Sequence, residues 1–454
     1  MDIRTQKIFE ALFELEDIRE LMRETAPMHD FKEEQKRRFA DTLTEIRKTL
    51  DELEGGRGGA KVSKIAGKID LREIEEDYIN INPIQAGGRL TAEARKALIA
   101  YGDGYSVCDY CLKPFRLDYI KKPPIHEFYA QLAEFVNMDT VRVVRGARGA
   151  FQIVANTLLE KGDVALIEEV GHYSIALAIE STGAEWKEIA VDENNIITAE
   201  KTAEKIMQVK KETGKAPKLI ALSHVDYLYG NMHPIEESIK VAKEYDIPTL
   251  YNGAYTVGIM PVDGRRLGAD FVVGSGHKSM AAPAPTGILA TTEEMEKKVF
   301  KTTERKGDVS GRVFGIKEVQ LLGCTVMGAP LIAMMASFPK VKERVKYWDD
   351  EVKKSNYFVE EFLKVEGSKI SSEMPRKHTL TKVDSTDSFD KVAQTHKKKG
   401  YYLYDELEKR KITGIFPGAT REYKLNTFGL SWNQIKYLSE SFKEIAAQHQ
   451  LKVN

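Results

Sequence analysis

The feature that most constrains the fold is a series of short β-branched segments that alternate with helical stretches between residues 140 and 290. Helices such as Phe151–Leu159 and Ala199–Glu212 are predicted between the strands. This order is typical of an α/β fold with a mostly parallel sheet, helices on both faces and ligands at the carboxyl ends of the strands. The predicted strands are Val141–Val144, Val164–Glu168, Trp186–Ala190, Leu219–Leu222, Thr249–Tyr251, Phe271–Gly274 and Ile288–Ala290.

The segments on either side of this alternation predict further parts of the chain. Residues 1–54 carry apolar residues at three- and four-residue steps, which predicts a helical hairpin with one apolar face. We predict a linker at 55–70, where glycines cluster, a large domain at 71–330 that includes an N-terminal segment, and a smaller α+β domain at 331–454. The hairpin either folds back on the main body or docks a partner, and both readings stay open.

Charge and cysteine content exclude several classes of protein. The 68 Lys and Arg residues against 69 Asp and Glu residues give a net charge of −1, so no whole-protein field attracts a polyanion. The sequence predicts neither a signal peptide nor a membrane span. Three cysteines, an odd number in a chain of 454 residues, fit a cytoplasmic protein whose thiols carry chemistry or bind metal.

The segment Asp270–Gly287, DFVVGSGHKSMAAPAPTG, is the most informative stretch for function. A predicted strand ends there in small residues and places His277 and Lys278 at the ligand edge of the sheet. A lysine in this position can form an imine with pyridoxal phosphate, because a desolvated amine attacks carbonyl groups, while Ser275 and His277 bond the phosphate. Taken alone, Gly-His-Lys favours an ordinary exposed lysine, so the context decides.

Three other strand ends supply that context. The segment Thr249–Val257, TLYNGAYTV, has a polar residue and two small ones after its strand, where pyridoxal enzymes place the partner of the ring nitrogen. The junction Val141–Gly149, VRVVRGARG, offers backbone N–H groups and a helix N-terminus that suit a phosphate. His172 follows the strand Val164–Glu168, where an imidazole can stack on a pyridine ring.

These motifs, in this order, resemble the fold-type I pyridoxal-phosphate enzymes of the cysteine desulfurase branch. The branch combines a Gly-Ala turn, a stacking histidine, a His-Val segment, an Asp-Ala pair and a Ser-x-His-Lys motif. The resemblance implies pyridoxal 5'-phosphate as cofactor and a homodimer with active sites at the two-fold interface. The cofactor-binding residues that it implies are Ala147, Arg148, His172, Asp226, Asn252, Tyr255, Ser275, His277 and Lys278.

Two of these positions depart from the branch. Asn252 stands where the branch has the aspartate that pairs with the ring nitrogen, and Asp226 stands where it has an asparagine that reaches the ring hydroxyl. A neutral amide does not hold the ring nitrogen protonated as a carboxylate does. The cofactor is therefore expected to be a weaker electron sink, which suffices for β-elimination of a good leaving group.

Upstream motifs narrow the resemblance within the branch. The segments Tyr78–Leu98, YININPIQAGGRLTAEARKAL, and Tyr101–Cys111, YGDGYSVCDYC, look like the archaeal members that make cysteine on tRNA from phosphoserine. This implies phosphoseryl-tRNA(Cys) as substrate, with Lys278 as base, phosphate as leaving group and sulfur adding to Cβ. The hairpin lies outside the resemblance but looks somewhat like a bridging protein of that pathway, so phosphoseryl-tRNA synthetase is its predicted partner.

The three cysteines are Cys108 and Cys111, which form a C-x-x-C, and the distant Cys324. A closed zinc site needs four ligands, whereas three thiols suit a persulfide carrier that a second thiol resets. An iron–sulfur cluster on the same three residues is the alternative. We expect the thiols to meet at the edge of the cofactor pocket, with Lys278 and His172 completing the catalytic set.

Two other function classes stay open on the sequence. A cysteine desulfurase or selenocysteine lyase would act on a free amino acid and would need an arginine for its carboxylate. A non-catalytic assembly scaffold would use the hairpin to bind a synthetase. Because an esterified substrate has no free carboxylate, Arg421 is left open to another role.

Overall fold

The computed structural model describes residues 3–25, 30–54, 78–100, 106–108, 124–313, 318–321 and 325–454. The chain divides into two compact units, Met1–Glu76 and Asp77–Asn454. The predicted linker at 55–70 lies outside the described residues. The predicted domain boundaries stay predictions.

The first unit contains two helices that pack against each other, α1 (Ile3–Glu24) and α2 (Glu33–Glu54). Leu21 is buried, but the exposed fractions of Leu12, Phe13 and Leu15 are 53%, 68% and 50%. The hairpin therefore leaves large apolar side chains open to solvent, which is unusual for several neighbouring residues.

The second unit alternates helices and strands. Its helices are α3 (Ala92–Ala100), α4 (Ile125–Val136), α5 (Gly146–Leu158), α6 (Tyr173–Glu180), α7 (Ala199–Thr213), α8 (Ile235–Glu244), α9 (Gly264–Leu267), α10 (Gly276–Ser279), α11 (Glu293–Val299), α12 (Gly328–Arg344), α13 (Trp348–Phe362), α14 (Phe389–Thr395), α15 (Tyr401–Lys409) and α16 (Trp432–Gln448). Its strands are β1 (Ile79–Asn80), β2 (Ser106–Cys108), β3 (Thr140–Val144), β4 (Val164–Glu168), β5 (Glu185–Ile189), β6 (Leu219–Ser223), β7 (Thr249–Gly253), β8 (Phe271–Ser275), β9 (Gly287–Thr291), β10 (Thr325–Met327), β11 (Lys369–Ile370), β12 (Leu380–Asp384), β13 (Ile412–Thr413) and β14 (Glu422–Asn426).

A seven-stranded sheet forms the centre of this unit, in the order β3-β9-β8-β7-β6-β4-β5. Strands β4 to β8 pair in parallel, and β9 is antiparallel to both of its neighbours. Each of the seven predicted strands lies within two residues of its observed bounds. The predicted mostly parallel α/β architecture is confirmed.

The strands of the sheet centre read as unbroken apolar runs because both of their faces are covered. Strands β4, β6, β7, β8 and β9 are buried along their whole length. Leu166 and Ile220 belong to the core on one face, whereas Ala165 and Ala221 belong to the core on the other. The backbone of the strand ends is therefore held rigidly, which fixes the residues that follow them.

The C-terminal part carries an antiparallel three-stranded sheet, β11-β12-β14, as the predicted smaller α+β domain requires. A separate two-stranded sheet pairs β1, from far upstream, in parallel with β13, with Ile79 opposite Ile412. Ile79 and Ile81 lie in the same core as Phe358 and Phe442. The segment before α3 is thus anchored in the C-terminal core.

A separate ribbon joins β2 to β10, antiparallel, with Cys108 opposite Thr325. Strand β10 leads directly into α12, and there the Ser337 hydroxyl donates a hydrogen bond to the carbonyl of Ala281 at 2.7 Å. The ribbon is therefore continuous with a helix that packs beside the segment after Lys278. Across the described ranges, each helix is too short or too polar to cross a membrane.

Candidate active site

Lys278 lies at the carboxyl edge of the central sheet, on the one-turn helix α10 that follows β8. Its Nζ donates a hydrogen bond to the Tyr255 hydroxyl at 3.3 Å and lies 4.4 Å from the centre of the Tyr255 ring. Burial, with a smaller contribution from the nearby Lys424 ammonium, lowers the pKa of Lys278 to about 8. An amine with this pKa is an effective nucleophile and base near neutral pH.

The start of α5 and the end of β8 offer hydrogen-bonding groups to a ligand. This helix has no side-chain cap and begins at Gly146, whose φ of 73° favours glycine. A methyl group at Gly146 would lie 3.6 Å from Cε1 of His277, which places that imidazole beside the helix start. Among the described residues, the buried Ser275 hydroxyl has no hydrogen-bond partner. Such a cradle suits a phosphate.

The other members of the predicted phosphate site lie in the first turn of α5. Ala147 is buried and Arg148 is exposed. The His277 ring has its Nδ1 3.2 Å from the Thr286 carbonyl oxygen. Burial lowers the pKa of His277, the Thr286 hydrogen bond opposes this, and Lys278 adds to the lowering.

Two segments that are distant in the chain contact the backbone of the turn that carries Lys278. A Cβ atom at Gly88 would lie 1.9 Å from the His277 carbonyl oxygen, so only glycine fits there. From α12, Arg344 donates to the carbonyls of Gly87, Gly258 and Ser279 at 2.9, 2.8 and 2.6 Å. The glycine pair in the upstream motif therefore has a structural reason, which is close backbone approach to the turn that carries Lys278.

His172 caps the N-terminus of α6. Its Nδ1 accepts a hydrogen bond from the Ser174 backbone N–H at 3.3 Å, so the proton of the neutral ring is on Nε2. Burial lowers the pKa of His172 to about 4, and the ammonium groups of Lys278 and Lys424 contribute. The imidazole is therefore neutral at pH 7, and its ring centre lies 4.9 Å from that of Tyr227.

Asn252 belongs to a polar chain that crosses three strand ends. Its Nδ2 donates to the Ser223 hydroxyl at 2.8 Å, and its Oδ1 accepts from the Ala254 N–H at 3.2 Å. The Ser223 N–H donates to Oε1 of Glu168 at 2.9 Å. Burial raises the pKa of Glu168, whose Oε2 has no hydrogen-bond partner within the described part of the chain. The hydrogen bond to Ser223 therefore fixes the orientation of the Asn252 amide.

Asp226 is fully buried and uses its carboxylate to shape the loop after β6. Its Oδ1 accepts from the Tyr229 N–H at 2.6 Å, and its Oδ2 accepts from the Asn231 N–H at 2.9 Å. Nε2 of His233 lies 3.4 Å from Oδ2. The structure therefore gives this carboxylate a role in the loop, and its predicted contact with a ring hydroxyl stays a prediction.

Tyr255 lies between Lys278 and the smaller domain. Its hydroxyl accepts from Lys278 Nζ, and its backbone carbonyl lies 2.9 Å from Nε2 of His378. Burial, and then the charges near Asp226 and Tyr227, raise the pKa of Tyr255 well above its usual value. The phenol is therefore neutral and can donate its proton only as a hydrogen bond.

Lys424 is a cation of this pocket that the sequence did not point to. It lies on β14, and its Nζ donates to the Tyr227 carbonyl at 2.5 Å. Its nearness lowers the pKa values of Lys278 and His172. No motif around Lys424 marks it as a site residue, and its position is known only from its contact with Tyr227 and its effect on Lys278 and His172.

Glu168, Ser223 and Tyr227 were missed as well. Glu168 ends an apolar run directly after Ile167. A carboxyl on a strand that is buried on both faces requires polar partners, so this position indicates a polar site that the sequence analysis could have found. Arg421, by contrast, is 68% exposed and pairs with Asp390, Nε to Oδ2 at 3.4 Å. It supplies no carboxylate clamp of the kind that a free amino acid would need.

The cysteines are described only in part. Cys111 and Cys324 lie outside the described residues, and of Cys108 only the backbone pairing with Thr325 is described. The described part of the chain has no group of three or more side chains suited to holding a metal ion. The predicted convergence of the thiols, and the iron–sulfur alternative, therefore stay predictions.

The arrangement joins three chemical capacities at one edge of the sheet. A nucleophilic amine, Lys278, stands beside an anion cradle at Gly146 and Ser275. A neutral imidazole, His172, and a neutral amide, Asn252, lie at neighbouring strand ends, where they can contact an aromatic ring. This combination can bind a phosphorylated aldehyde and move a proton next to it.

Comparison with known proteins places the chain in a group. Residues 124–386 match the family model of aminotransferase class-V. O-phospho-L-seryl-tRNA:Cys-tRNA synthase 1 of Methanococcoides burtonii is 58% identical over 448 residues, which are 99% of this chain and 97% of that protein. The O-phospho-L-seryl-tRNA:Cys-tRNA synthase of Methanoculleus marisnigri is 58% identical over 390 residues, which are 86% of this chain and 100% of that protein.

Solved structures give a consistent picture. A crystal structure of a SepCysS–SepCysE N-terminal domain complex is similar, with a TM-score of 0.76 and 42% identity, over 83% of this chain and 97% of that chain. The apo structure of a cysteine desulfurase from Thermococcus onnurineus has a TM-score of 0.62 and 16% identity, over 84% of this chain and 100% of that chain. The second likeness shows the fold alone.

Proposed function

From the comparisons we propose how the strand-end pocket works, which is the pocket formed by Lys278, His172, Asn252 and the anion cradle at Gly146 and Ser275. The chain belongs to the aminotransferase class-V family and, within it, to the O-phospho-L-seryl-tRNA:Cys-tRNA synthases. It is a pyridoxal-phosphate-dependent transferase that converts O-phosphoseryl-tRNA into cysteinyl-tRNA. The observation that carries the proposed chemistry is the position of Lys278, a largely buried amine beside an anion cradle. The archaeal, tRNA-dependent group predicted from the sequence is confirmed.

The residues of the pocket fit pyridoxal phosphate. The buried Ser275 hydroxyl lacks a partner among the described residues, and the start of α5 is uncapped, so a phosphate would satisfy both. Ser275, His277 and the first turn of α5 at Ala147 and Arg148 would hold that group. Lys278 would bind the aldehyde carbon of the cofactor.

Residues at the neighbouring strand ends would contact the ring of the cofactor. His172 would lie against the ring, and its neutral state suits stacking on a pyridine. Asn252 would face the ring nitrogen, and Tyr255 would hydrogen-bond Lys278 or the ring hydroxyl. Asp226 would face the ring hydroxyl, and its oxygens already accept hydrogen bonds from the Tyr229 and Asn231 amides.

When bound, pyridoxal phosphate supplies an electron sink for the pair left at Cα after proton removal. With the substrate in the pocket, the Lys278 amine would take the Cα proton, and burial keeps the pKa of Lys278 close to the working pH. The Cβ–O bond then breaks and its electron pair leaves with phosphate. The neutral Asn252 amide does not fix a proton on the ring nitrogen, so the pocket favours elimination over reactions that need a stronger sink.

Sulfur addition to Cβ is assigned to the thiols of Cys108, Cys111 and Cys324. The antiparallel pairing of Cys108 with Thr325 supports this, because Thr325 follows Cys324 directly in the chain. The outer sulfur of a persulfide can attack Cβ and form a mixed disulfide with the substrate. A second thiol can then attack the enzyme sulfur of that disulfide, so that the cysteinyl thiolate leaves on the tRNA and an enzyme disulfide forms, which an external dithiol reductant must reduce before the next turnover. A three-cysteine iron–sulfur cluster is the competing use of these residues, and iron analysis of anaerobically purified protein separates the two.

The N-terminal hairpin is assigned to partner docking. Relatives of 390 aligned residues, complete at 100% of their own length, cover 86% of this chain, so about 60 residues here have no counterpart in them. The exposed Leu12, Phe13 and Leu15 give the hairpin an apolar face that a protein partner could cover. Phosphoseryl-tRNA synthetase is the proposed partner, since it supplies the substrate.

A homodimer and a cytoplasmic location complete the proposal. Fold-type I active sites are built at a two-fold interface, so a dimer would complete each pocket. Sedimentation of the intact protein tests the dimer, and an active monomer would contradict it.

The function is tested by incubating the holoenzyme with phosphoseryl-tRNA(Cys) and sulfide and measuring cysteinyl-tRNA. Formation of cysteinyl-tRNA is the expected result. Desulfuration of free cysteine with no reaction on phosphoseryl-tRNA would favour the desulfurase alternative instead. A protein with no visible cofactor absorbance and no turnover would favour the scaffold.

A further inference from the structure

A line of hydrogen bonds runs from the carboxyl ends of β4, β6 and β7 to the turn after β8. Its members, in order, are Glu168, Ser223, Asn252, Ala254 and Ser279. The last of them directly follows Lys278 in the chain. The line therefore connects the turn that carries Lys278 to a carboxyl on β4, two strands beyond the strand of Asn252.

The backbone N–H of Ala254 decides which way the Asn252 amide faces. This N–H can only donate, so the Asn252 atom that lies 3.2 Å from it is the amide oxygen. The amide nitrogen then lies on the other side, where it donates one of its two hydrogens to the Ser223 hydroxyl at 2.8 Å. Among the described residues the second hydrogen has no acceptor, so it is available to a ligand.

Glu168 sets the direction of the Ser223 hydroxyl. A hydroxyl can accept a hydrogen bond from Asn252 only when its own hydrogen points elsewhere. The Ser223 N–H donates to Oε1 of Glu168 at 2.9 Å. Burial raises the pKa of Glu168, and hydrogen bonds from the side chain and the N–H of Ser223 oppose this rise. The hydrogen of the hydroxyl therefore points to Glu168, and a lone pair is left for Asn252.

Glu168 also contacts the segment that leads to His172. The exposed fraction of Glu168 is 1%, and its strand β4 is buried along its whole length. The Gly171 N–H donates to the Glu168 carbonyl at 2.8 Å, and a Cβ atom at Gly171 would lie 3.5 Å from Cδ of Glu168. A buried carboxyl costs free energy unless polar partners hold it, so its place beside two segments of the pocket requires a reason.

The other end of the line holds Ala254 against the lysine turn. The Ser279 hydroxyl lies 3.2 Å from the Ala254 carbonyl oxygen and 2.9 Å from the Ser275 carbonyl oxygen. Both Ser279 and Ser223 are buried, as is Asn252. The amide is thus fixed from both sides in surroundings that exclude water, and its dipole needs no reorganisation when a ligand binds.

We propose that Glu168 and Ser223 are positioning residues that hold the Asn252 amide with an N–H, and not its oxygen, toward the ring nitrogen of the cofactor. This rests on the proposed function, in which Asn252 faces that nitrogen. An unprotonated pyridine nitrogen accepts a hydrogen bond from an N–H, whereas a protonated one needs an acceptor such as a carbonyl oxygen. The line therefore selects the unprotonated ring, which is the weaker electron sink.

The test uses holoenzyme reconstituted with pyridoxal phosphate whose ring nitrogen carries an NMR-active label, and it records the signal of that nitrogen without substrate. Two variants at Asn252 set the scale. Asn252→Ala removes the donor, and Asn252→Asp supplies a carboxylate that favours a protonated ring. The wild-type signal should be that of an unprotonated, hydrogen-bonded nitrogen and should differ from both.

Ser223→Ala and Glu168→Leu should each move the signal about half of the way or more from wild type to Asn252→Ala, because the amide is no longer held. Cofactor affinity, measured by equilibrium dialysis, should weaken about 3- to 10-fold. Glu168→Gln keeps an oxygen that accepts from Ser223 and should retain the wild-type signal. The matched control is Ser238→Ala, at a buried serine of the same sheet domain whose hydroxyl accepts from Thr202 at 2.9 Å.

A wild-type signal in both Ser223→Ala and Glu168→Leu, with a shifted signal in Asn252→Ala, overturns the positioning role and leaves the proposed reaction intact. Ser223→Ala removes only one oxygen atom, so it decides the question by itself if Glu168→Leu does not fold. A signal in Glu168→Gln that moves as far as in Ser223→Ala contradicts the role of Glu168 as an acceptor. An unchanged signal in Asn252→Ala overturns the inference together with the placement of Asn252 in the proposed function.

Discussion

The N-terminal hairpin and the strand-end pocket depart from the usual distribution of side chains in opposite ways. The hairpin leaves Leu12, Phe13 and Leu15 half or more exposed. The pocket buries the Ser275 hydroxyl and a Glu168 carboxyl oxygen, neither of which has a partner among the described residues. Exposed apolar area gains free energy from a protein partner, whereas a buried unpaired polar atom gains it from a polar ligand.

The two regions therefore differ in what removal of their residues should do. A change in the pocket should alter chemistry or cofactor affinity and leave association with other proteins intact. A change on the hairpin should do the reverse. The following variants test this separation, from the largest expected effect to the smallest.

Lys278→Ala should reduce formation of cysteinyl-tRNA by about a thousandfold or more and remove the absorbance of the lysine imine at the same time, because one amine serves both. Absorbance spectra and single-turnover assays measure the two effects. Lys201→Ala, a change at an exposed lysine that pairs with Glu204, is the control. Full activity and an unchanged spectrum in Lys278→Ala would remove this residue from the site.

Ser275→Ala should weaken cofactor affinity about 10- to 100-fold, since a hydrogen bond to a charged phosphate is lost. The apo protein should unfold at the same temperature as wild type or slightly higher, because the hydroxyl has no partner among the described residues. Equilibrium dialysis and thermal denaturation check the pair of results. A strongly destabilised apo variant with normal cofactor affinity would mean that the hydroxyl serves packing.

On the hairpin, Phe13→Ser combined with Leu12→Ser should weaken association with phosphoseryl-tRNA synthetase by about tenfold or more, since burying one large apolar side chain contributes about 1.5–3 kcal/mol. Turnover of free phosphoseryl-tRNA should stay at the wild-type level. Glu16→Ser, at an exposed residue that pairs with Arg19, is the matched control. Equal affinity of the double variant for the synthetase would favour a hairpin that packs on its own chain.

The pH dependence of cofactor attachment is the smallest effect. Because burial lowers the pKa of Lys278 to about 8, the neutral amine should increase about tenfold from pH 7 to pH 9 and the attachment rate should level off above that. An ordinary lysine would show a rate that keeps rising toward pH 10. Lys424 lowers this pKa, so Lys424→Met should move the midpoint to higher pH.

Much of the site can be predicted from local patterns. Apolar runs set the strands, and the residue after a strand comes to the ligand edge whatever the rest of the chain does. Lys278, His172 and Asn252 all follow from that rule, and the motifs around them suffice to place the chain in its family. The hairpin also follows, because helical periodicity is local.

Other features depend on contacts that no local pattern contains. The sequence resemblance predicts that Asp226 contacts the cofactor. In the structure its oxygens accept hydrogen bonds from amides five residues away or closer, and only the loop conformation decides this. From the sequence, Glu168 is only the last residue of a strand. The structure shows that it is buried and accepts a hydrogen bond from the Ser223 N–H.

The amino-acid sequence by itself determined the alternation of strands and helices, the lysine at a strand end and the membership of the family, because each rests on residues that are close together in the chain. The tertiary structure decided that Lys382 faces Lys424 and that Lys424 reaches the loop at Tyr227. Those contacts join segments about 40 and 200 residues apart, and their distances depend on strand register and domain packing. Charge placed by such contacts is invisible to periodicity, since a lysine on a strand looks the same whether it faces solvent or packs against a loop.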